Sequence, residues 1–308
     1  MPHSHAQTHA AKRRAPALRR TWLFVAGADA AAQAAALESN PDVLVPDLED
    51  FTPPPLRPRG REMILALLEK ARNRGIVAAV RVNPLAGDGR NDLAVVMQAK
   101  PDAVLLPKTT AREQVVELER AITDHERRLV IPTGSTEIVP NIETAAGLVA
   151  THAIALASKR VTTCLVAAED MAGDLGAERT REGVELGYVR SRFLVECIAV
   201  GVVAVDAPYT FTDLEGVRAD TLHARGLGYH AKSVVSPAHV AVVNEVLTPS
   251  PESVERALRL VAAFDAARAA GRDRVEHEGT LVEVPTYLTA KRLIARAEAL
   301  AAFMRSQH

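Results

Sequence analysis

Apolar and polar positions along the chain keep to two periods. Short runs rich in Val, Leu and Ile alternate with longer stretches whose apolar residues recur at helical spacing. Trp22 to Val25 is the first apolar run, and Asp29 behind it is placed to cap an Ala-rich helix from Ala30 to Leu37. Val43 to Pro46 runs into Asp47-Leu48-Glu49-Asp50 and precedes a helix from Arg59 to Arg74. Ala78 to Val82 is broken by Asn83-Pro84, and Ala103 to Lys108 leads to a helix from Arg112 to Glu126. Ile138-Val139 continues into Pro140-Asn141-Ile142-Glu143-Thr144, and after a helix from Ala145 to Ala157, Thr163 to Val166 leads into Glu169-Asp170. A long helix from Gly183 to Val200, a strand from Val202 to Asp206, a helix from Leu214 to Leu227 and a strand from Lys232 to Val235 follow.

Eight strands, each followed by a crossover long enough for a helix, predict an α/β chain closed as a (β/α)8 TIM barrel. The rival, an open doubly wound sheet, lacks its Gly-x-Gly-x-x-Gly turn after the first strand. Beyond Pro237 the pattern changes. Ala238 to Val246 completes the eighth unit, Pro251 to Ala270 is helical with no strand expected after it, and Thr286 to Arg305 is a last helix. The expected organisation is a disordered basic tail over 1–18, the barrel over 19–248, and a helical extension over 249–308. That extension would act as a lid over its own barrel or as an element swapped to a neighbour.

Composition adds limits. With 308 residues, 48% of them hydrophobic, the chain can bury one large core. A net charge of −1 commits it neither to nucleic acid nor to a membrane surface, and no apolar run is long enough to span a bilayer. The two cysteines, Cys164 and Cys197, sit in apolar stretches and read as buried thiols, compatible with a cytoplasmic protein. The first residues hold His3, His5 and His9 and the run Lys12-Arg13-Arg14 without the apolar centre of a secretion signal.

In a parallel barrel the chemistry sits where the strands end. Asp47, Glu49 and Asp50 end the second strand, Arg81 and Asn83 the third, Lys108 the fourth and Glu143 the fifth. Glu169 and Asp170 end the sixth, Asp206 the seventh and Ser236 the eighth. So many acids on one rim would repel one another, and a bound cation reconciles them. Glu143 and Asp170, on neighbouring strands, form the pair through which a protein holds Mg²⁺ while leaving positions for water and substrate. Arg81 is either an ion-pair partner of Asp47 or Glu49 or, as favoured here, a guanidinium that steadies an enolate or carboxylate oxygen. Lys108 has an imine-forming alternative, disfavoured because the neighbouring acids keep it protonated. Gly173 and Gly176 shape the turn after the sixth strand and would offer backbone N–H groups to an anion. His223, His230 and His239 lack metal-ligand spacing.

These strand ends, taken together, resemble the citrate lyase β-subunit-like family of the HpcH/HpaI aldolase superfamily. Arg20 to Gly27 is similar to its opening strand, Asp47-Leu48-Glu49-Asp50 to its Asp-Leu-Glu-Asp, and Arg81-Val82-Asn83 to its Arg-Val-Asn. Leu106-Pro107-Lys108, Ile142-Glu143-Thr144 and Glu169 to Gly176 follow in order, and Gly228 to Lys232 with Ser236-Pro237 is a worn form of its Gly-Lys…His-Pro segment. The resemblance implies a Mg²⁺-dependent carbon–carbon lyase with Glu143 and Asp170 as metal ligands and Arg81 binding substrate. It makes Asp47 and Glu49 the acids that hold metal waters and Arg81, and implies a homo-oligomer, a trimer or hexamer. In acyl-CoA-using members an acid on the neighbouring subunit's lid takes part, and Glu283 occupies that place. The departures are specific. Ala28-Asp29-Ala30-Ala31-Ala32-Gln33 stands where CoA-binding members carry cations, Ala231 and Ser236 replace Gly and His, and Asp50 stands where the sister aldolases have a catalytic His.

The expected function is cleavage or formation of the bond next to a 2-oxo or 2-hydroxy acid or its CoA thioester, with malyl-CoA, citramalyl-CoA or citryl-like substrates. The alternatives are a CoA-independent 4-hydroxy-2-oxo-acid aldolase and a catalytically idle family member.

Overall fold

The computed structural model describes residues 13–307. Eight parallel strands close into a barrel in chain order, with the eighth hydrogen-bonded back to the first. They are β1 (Thr21–Ala26), β2 (Val43–Asp47), β3 (Val77–Arg81), β4 (Ala103–Leu106), β5 (Glu137–Ile142), β6 (Thr163–Val166), β7 (Val203–Asp206) and β8 (Ala231–Val234). The crossovers carry α1 (Ala30–Glu38), α2 (Arg57–Asn73), α3 (Gly89–Val96), α4 (Arg112–Arg128), α5 (Ala145–Ala155), α6 (Glu169–Leu175), α7 (Gly187–Ala199) and α8 (Leu214–Leu227). α9 (Val240–Leu247) ends the last unit. This is the predicted (β/α)8 barrel. The sequence reading lacked two short helices, α3 and α6, which fall in stretches too polar and too short to show a helical apolar stripe.

Two layers of apolar side chains follow from the two-residue period of the strands. Trp22, Phe24, Val43, Val45, Val77, Ala79, Leu105, Val139, Leu165 and Val205 fill the barrel interior. Leu23, Leu44, Ala78, Val104, Ile138, Cys164 and Ala204 face outward against Leu67, Leu68, Leu118, Phe193 and Cys197 of the helices. Both cysteines are buried free thiols, as the sequence suggested.

Residues 13–18 correct the expectation of a disordered tail, whose residues 1–12 lie outside the described part. Asp42, Asp102 and Glu137 stand at the starts of β2, β4 and β5, and arginines from the N-terminal segment bind them. Arg13 Nη2 lies 2.6 Å from Glu137 Oε1, Arg14 Nη1 is 3.2 Å from Asp42 Oδ1, and Arg19 grips Glu137 with two bonds of 2.7 and 2.8 Å. Arg13 and Arg14, which the sequence reads as part of a disordered tail, are therefore held by carboxylates at the N-terminal face of the barrel.

The chain divides into two compact units, one ending at Leu247 and one from Thr248 to the C-terminus. The second holds α10 (Pro251–Ala269) and α11 (Val284–Arg305), with Phe264 and Tyr287 stacked at 4.8 Å. Between them is an antiparallel hairpin, β9 (Val275–His277) and β10 (Thr280–Val282), where the sequence predicted no strand. Its two-residue turn, Glu278-Gly279, has both φ angles positive (47° and 73°), the geometry that suits the twist of a tight hairpin. Glu at the first turn position is an unusual signal for it.

Candidate active site

Period-2 counting explains which strand-end residues meet. Asp47 shares the face of Val43 and Val45, Arg81 that of Val77 and Ala79, and Glu143 that of Val139, so all three enter the barrel mouth. Asp47 and Arg81 are partners in the β2–β3 register. Asp206 has the opposite parity to Val203 and Val205. It turns outward, where Arg190 binds it with two bonds of 2.8 and 2.7 Å and Lys232 Nζ lies 2.7 Å away. Asp206 therefore leaves the set of rim acids: it belongs to a buried structural network behind β7.

Asp47 is fully buried and accepts four hydrogen bonds. Oδ1 takes Arg81 Nε at 2.8 Å and the Glu49 N–H at 2.9 Å; Oδ2 takes Arg81 Nη2 at 2.6 Å and the Phe51 N–H at 2.9 Å. Each of its lone pairs has a donor, so Asp47 works by holding Arg81 and the following loop. Gly27 makes this possible. Its N–H donates to Asp47 O at 3.0 Å, and a Cβ there would stand 2.9 Å from that oxygen.

Arg81 thus realises both sequence readings. One edge is spent on Asp47, while Nη1 lies 3.3 Å from Glu49 Oε2 and 3.6 Å from Glu143 Oε1. Its planar group lies against two aromatic rings, 5.2 Å from the centre of Phe24 and 5.8 Å from that of Phe51. Hydrogen bonding to Asp47 and the nearby Glu143 and Glu49 charges raise its pKa against the opposing effect of burial, so it stays charged. Sequence reasoning missed both rings; Phe24 was legible only as an apolar strand residue and Phe51 only as the residue after the acidic run.

Glu49 sits between cations, with Lys108 Nζ 2.6 Å from Oε1. Burial pushes its pKa up while Arg81 and Lys108 pull it down, and the neighbouring Asp50 adds to the rise. Lys108 Nζ also lies 3.4 Å from Asp50, and the Glu49 hydrogen bond holds its pKa above the ordinary value, which disfavours the imine reading. The backbone at Lys108 is left-handed (φ 47°), a strained conformation for a lysine and one concentrated at functional sites.

Glu143 differs from every other acid of the rim. It is fully buried, yet neither carboxylate oxygen has a hydrogen-bond partner among the described residues. Burial lifts its pKa to about 8; Arg81 opposes this, while the charges of Asp170 and Glu49 add to it. Asp170 stands half-buried in the first turn of α6, near enough to act on Glu143. A carboxylate kept dry and without a hydrogen bond beside a second one is a donor set suited to a hard cation that keeps water ligands. Among the described residues there is no group of three or more His, Cys, Asp or Glu side chains that could hold a metal, so such an ion would rest on this pair.

The remaining candidates are placed as follows. Gly173 is exposed inside α6, not in a turn, and a Cβ on it would touch nothing; only Gly176 uses a positive φ (66°), to end that helix. Asn83 is consumed by Asp92 and Leu48 O, at 2.8 Å each. Glu169 bonds Arg179 and Thr210. Glu283 lies in the second unit, exposed, at the N-cap of α11 without a capping bond.

A parallel barrel with carboxylates and one guanidinium converging at the C-terminal strand ends defines an enzyme whose chemistry lies in that mouth. The family model for HpcH/HpaI aldolase/citrate lyase matches residues 20–237, and the chain belongs to that family; it is a lyase. It is 32% identical to the citrate lyase subunit beta of Haemophilus influenzae, over 91% of this chain and 97% of that one. It is also 30% identical to a (3S)-malyl-CoA thioesterase of Cereibacter sphaeroides strain ATCC 17025, over 92% and 96%. Among solved structures, CitE of Mycobacterium tuberculosis in complex with magnesium, acetoacetate and coenzyme A aligns with a TM-score of 0.73 and 27% identity, over 92% of this chain and 100% of that one.

Proposed function

We propose that the protein is a Mg²⁺-dependent carbon–carbon lyase acting on a 2-oxo or 2-hydroxy acid or on its CoA thioester. The observation that carries this is the buried Glu143 carboxylate with neither oxygen hydrogen-bonded among the described residues, with Asp170 beside it and Arg81 Nη1 3.6 Å away. Glu143 and Asp170 would hold the ion. When bound, Mg²⁺ supplies a Lewis acid for the carboxylate and adjacent oxygen of the substrate. Arg81, fixed by Asp47, presents Nη1 to the oxygen on which negative charge grows as the carbon–carbon bond breaks. Glu49, with its raised pKa, is the rim carboxylate suited to take the hydroxyl proton and return it to the enolate carbon. Gly173 is assigned to the substrate-binding rim. Glu283, from the extension, is assigned as the acid that completes the site from a neighbouring subunit in a trimer or hexamer.

The reading is supported by the family and by the mycobacterial relative solved with magnesium and coenzyme A. The absence of cations between Ala28 and Gln33 favours a second reading, a CoA-independent 4-hydroxy-2-oxo-acid aldolase. Gln33 there is buried and donates to Gly27 O at 2.8 Å, so it does not reach for phosphate. The idle-member alternative has the worn eighth strand in its favour and the preserved Glu143, Asp170 and Arg81 against it. A cytoplasmic location is proposed as well; no helix among the described residues is long and apolar enough to cross a membrane.

Titrating Mg²⁺ with oxalate, a mimic of an enolised 2-oxo acid, tests the reading. Binding that is lost in Glu143→Ala and Asp170→Ala is expected, together with lost turnover. Full activity of either variant in EDTA rejects it. Assaying cleavage of acyl-CoA against free 4-hydroxy-2-oxo acids decides between the two lyase readings.

A further inference from the structure

The loop after β2 places an aromatic ring where a purely polar mouth would not need one. Phe51 remains 40% exposed although it is a large apolar side chain. It is not a stray surface residue. Its N–H is held by Asp47 Oδ2, its ring lies 5.8 Å from the Arg81 guanidinium carbon, and it meets Phe24 edge-on at 6.5 Å. Phe24 is nearly buried, so the two rings form one apolar wall whose outer part is Phe51.

Charge on the other sides of the mouth points the same way. Among the described residues, Asp47, Glu49, Asp50 and Glu143 have Arg81 and Lys108 as their ion-pair partners, and Asp170 adds a further acid beside Glu143. A divalent ion therefore leaves the mouth formally negative. Both cations already lie among these acids: Arg81 spends one edge on Asp47 and turns Nη1 toward Glu49 and Glu143, and Lys108 binds Glu49 and Asp50. A substrate carboxylate at the metal and Arg81 Nη1 is provided for, whereas a second carboxylate would add charge to a mouth already rich in acids and meet an aromatic face.

We propose that Phe51 is a specificity-determining residue, and that the enzyme selects substrates with one chelating carboxylate and an apolar flank over those carrying a further carboxylate. This rests on the metal-dependent reading above and narrows its substrate class. The ring would cover the apolar group of the substrate while Arg81 and the metal site hold its acid end, so that burial of the ring's exposed face contributes only when the flank is apolar.

The test is calorimetric titration of the full-length protein with saturating Mg²⁺ at low temperature, which suppresses decarboxylation. Three ligands serve: oxalate, oxaloacetate and 4-methyl-2-oxopentanoate. The last two match in shape and differ in whether the flank ends in a carboxylate or two methyl groups. The wild type is expected to bind 4-methyl-2-oxopentanoate about tenfold or more tightly over oxaloacetate. Phe51→Ala should bring the two within about twofold, with the methyl analogue losing more affinity than oxalate, and Phe51→Lys, at the same exposed position, should reverse the order. Oxaloacetate binding as well as or better than the methyl analogue in the wild type overturns the proposal, as does an equal loss for all three ligands in the variants. Failure of oxalate itself to bind with Mg²⁺ overturns the metal-dependent reading and this one with it; oxalate binding without discrimination overturns this one alone.

Discussion

Asp47, on the stave next to that of Arg81, and Glu143, two staves from it, show how two buried carboxylates beside one guanidinium come to different duties. Asp47 has a donor for each lone pair and serves as an anchor, while Glu143 has none and is left for a ligand. Replacing Asp47 by Ala removes the two hydrogen bonds that hold the buried Arg81, which costs about 3–5 kcal/mol and should appear as a lowered midpoint in urea unfolding alongside lost turnover. The raised pKa of Glu143, about 8 against an ordinary 4.5, also fixes a sign. Across that window the folded, magnesium-free protein keeps a proton that the unfolded chain has released, so stability falls as pH rises toward 8. Mg²⁺ competes with that proton, and its stabilising shift in Tm should grow over the same range. Thermal scans with and without Mg²⁺ check both slopes, and Glu143→Gln should flatten each. At this scale the sequence placed Glu143, Arg81 and the Asp47–Glu49 run at strand ends, whereas Asp170 stands in the first turn of the helix that follows β6. It could not show which acid would be satisfied, because that depends on donors from loops distant in the chain.

At the scale of elements, parity decides membership of the site. Asp47, Arg81 and Glu143 keep step with the inward residues of their strands, and Asp206 does not. That distinction was available in the sequence as a count of two from each apolar neighbour, and reading only the ends of strands passed over it. Element ends also set local tolerances. Gly27→Ala forces a Cβ against Asp47 O, and we expect about 1–3 kcal/mol of destabilisation with a fall in kcat, since the carboxylate that holds Arg81 must move. In the hairpin, Gly279→Val strains a backbone at φ 73° and should weaken protection of β9 and β10 amides from hydrogen exchange while that of β1 to β8 is unchanged. The hairpin itself escaped the sequence reading because its strands are three residues each and its turn begins with Glu, so neither alternation nor turn chemistry stood out.

For the whole molecule, the role proposed for Glu283 poses the question of how subunits share the site. If Glu283 serves a neighbouring subunit, Glu143→Ala and Glu283→Ala chains are each inactive alone, and co-assembled they should recover part of the wild-type rate; mixed oligomers that stay inactive refute the exchange. Glu283→Gln should lower kcat while leaving binding of Mg²⁺ and oxalate intact, which a KM-against-kcat comparison reads directly. The sequence by itself determined the barrel, its eight staves and the acids at their ends, because strand and helix periods are local and a closed parallel sheet is what such alternation can bury. Only the tertiary structure decided that Arg81 is clamped by Asp47 against two rings, that Asp206 turns away, that Arg13 and Arg14 are held to the barrel's opposite face, and that Glu143 is left without a hydrogen bond among the described residues. Each of these depends on which donors and rings arrive from other strands, and a chain read in order does not contain that proximity until the sheet has closed.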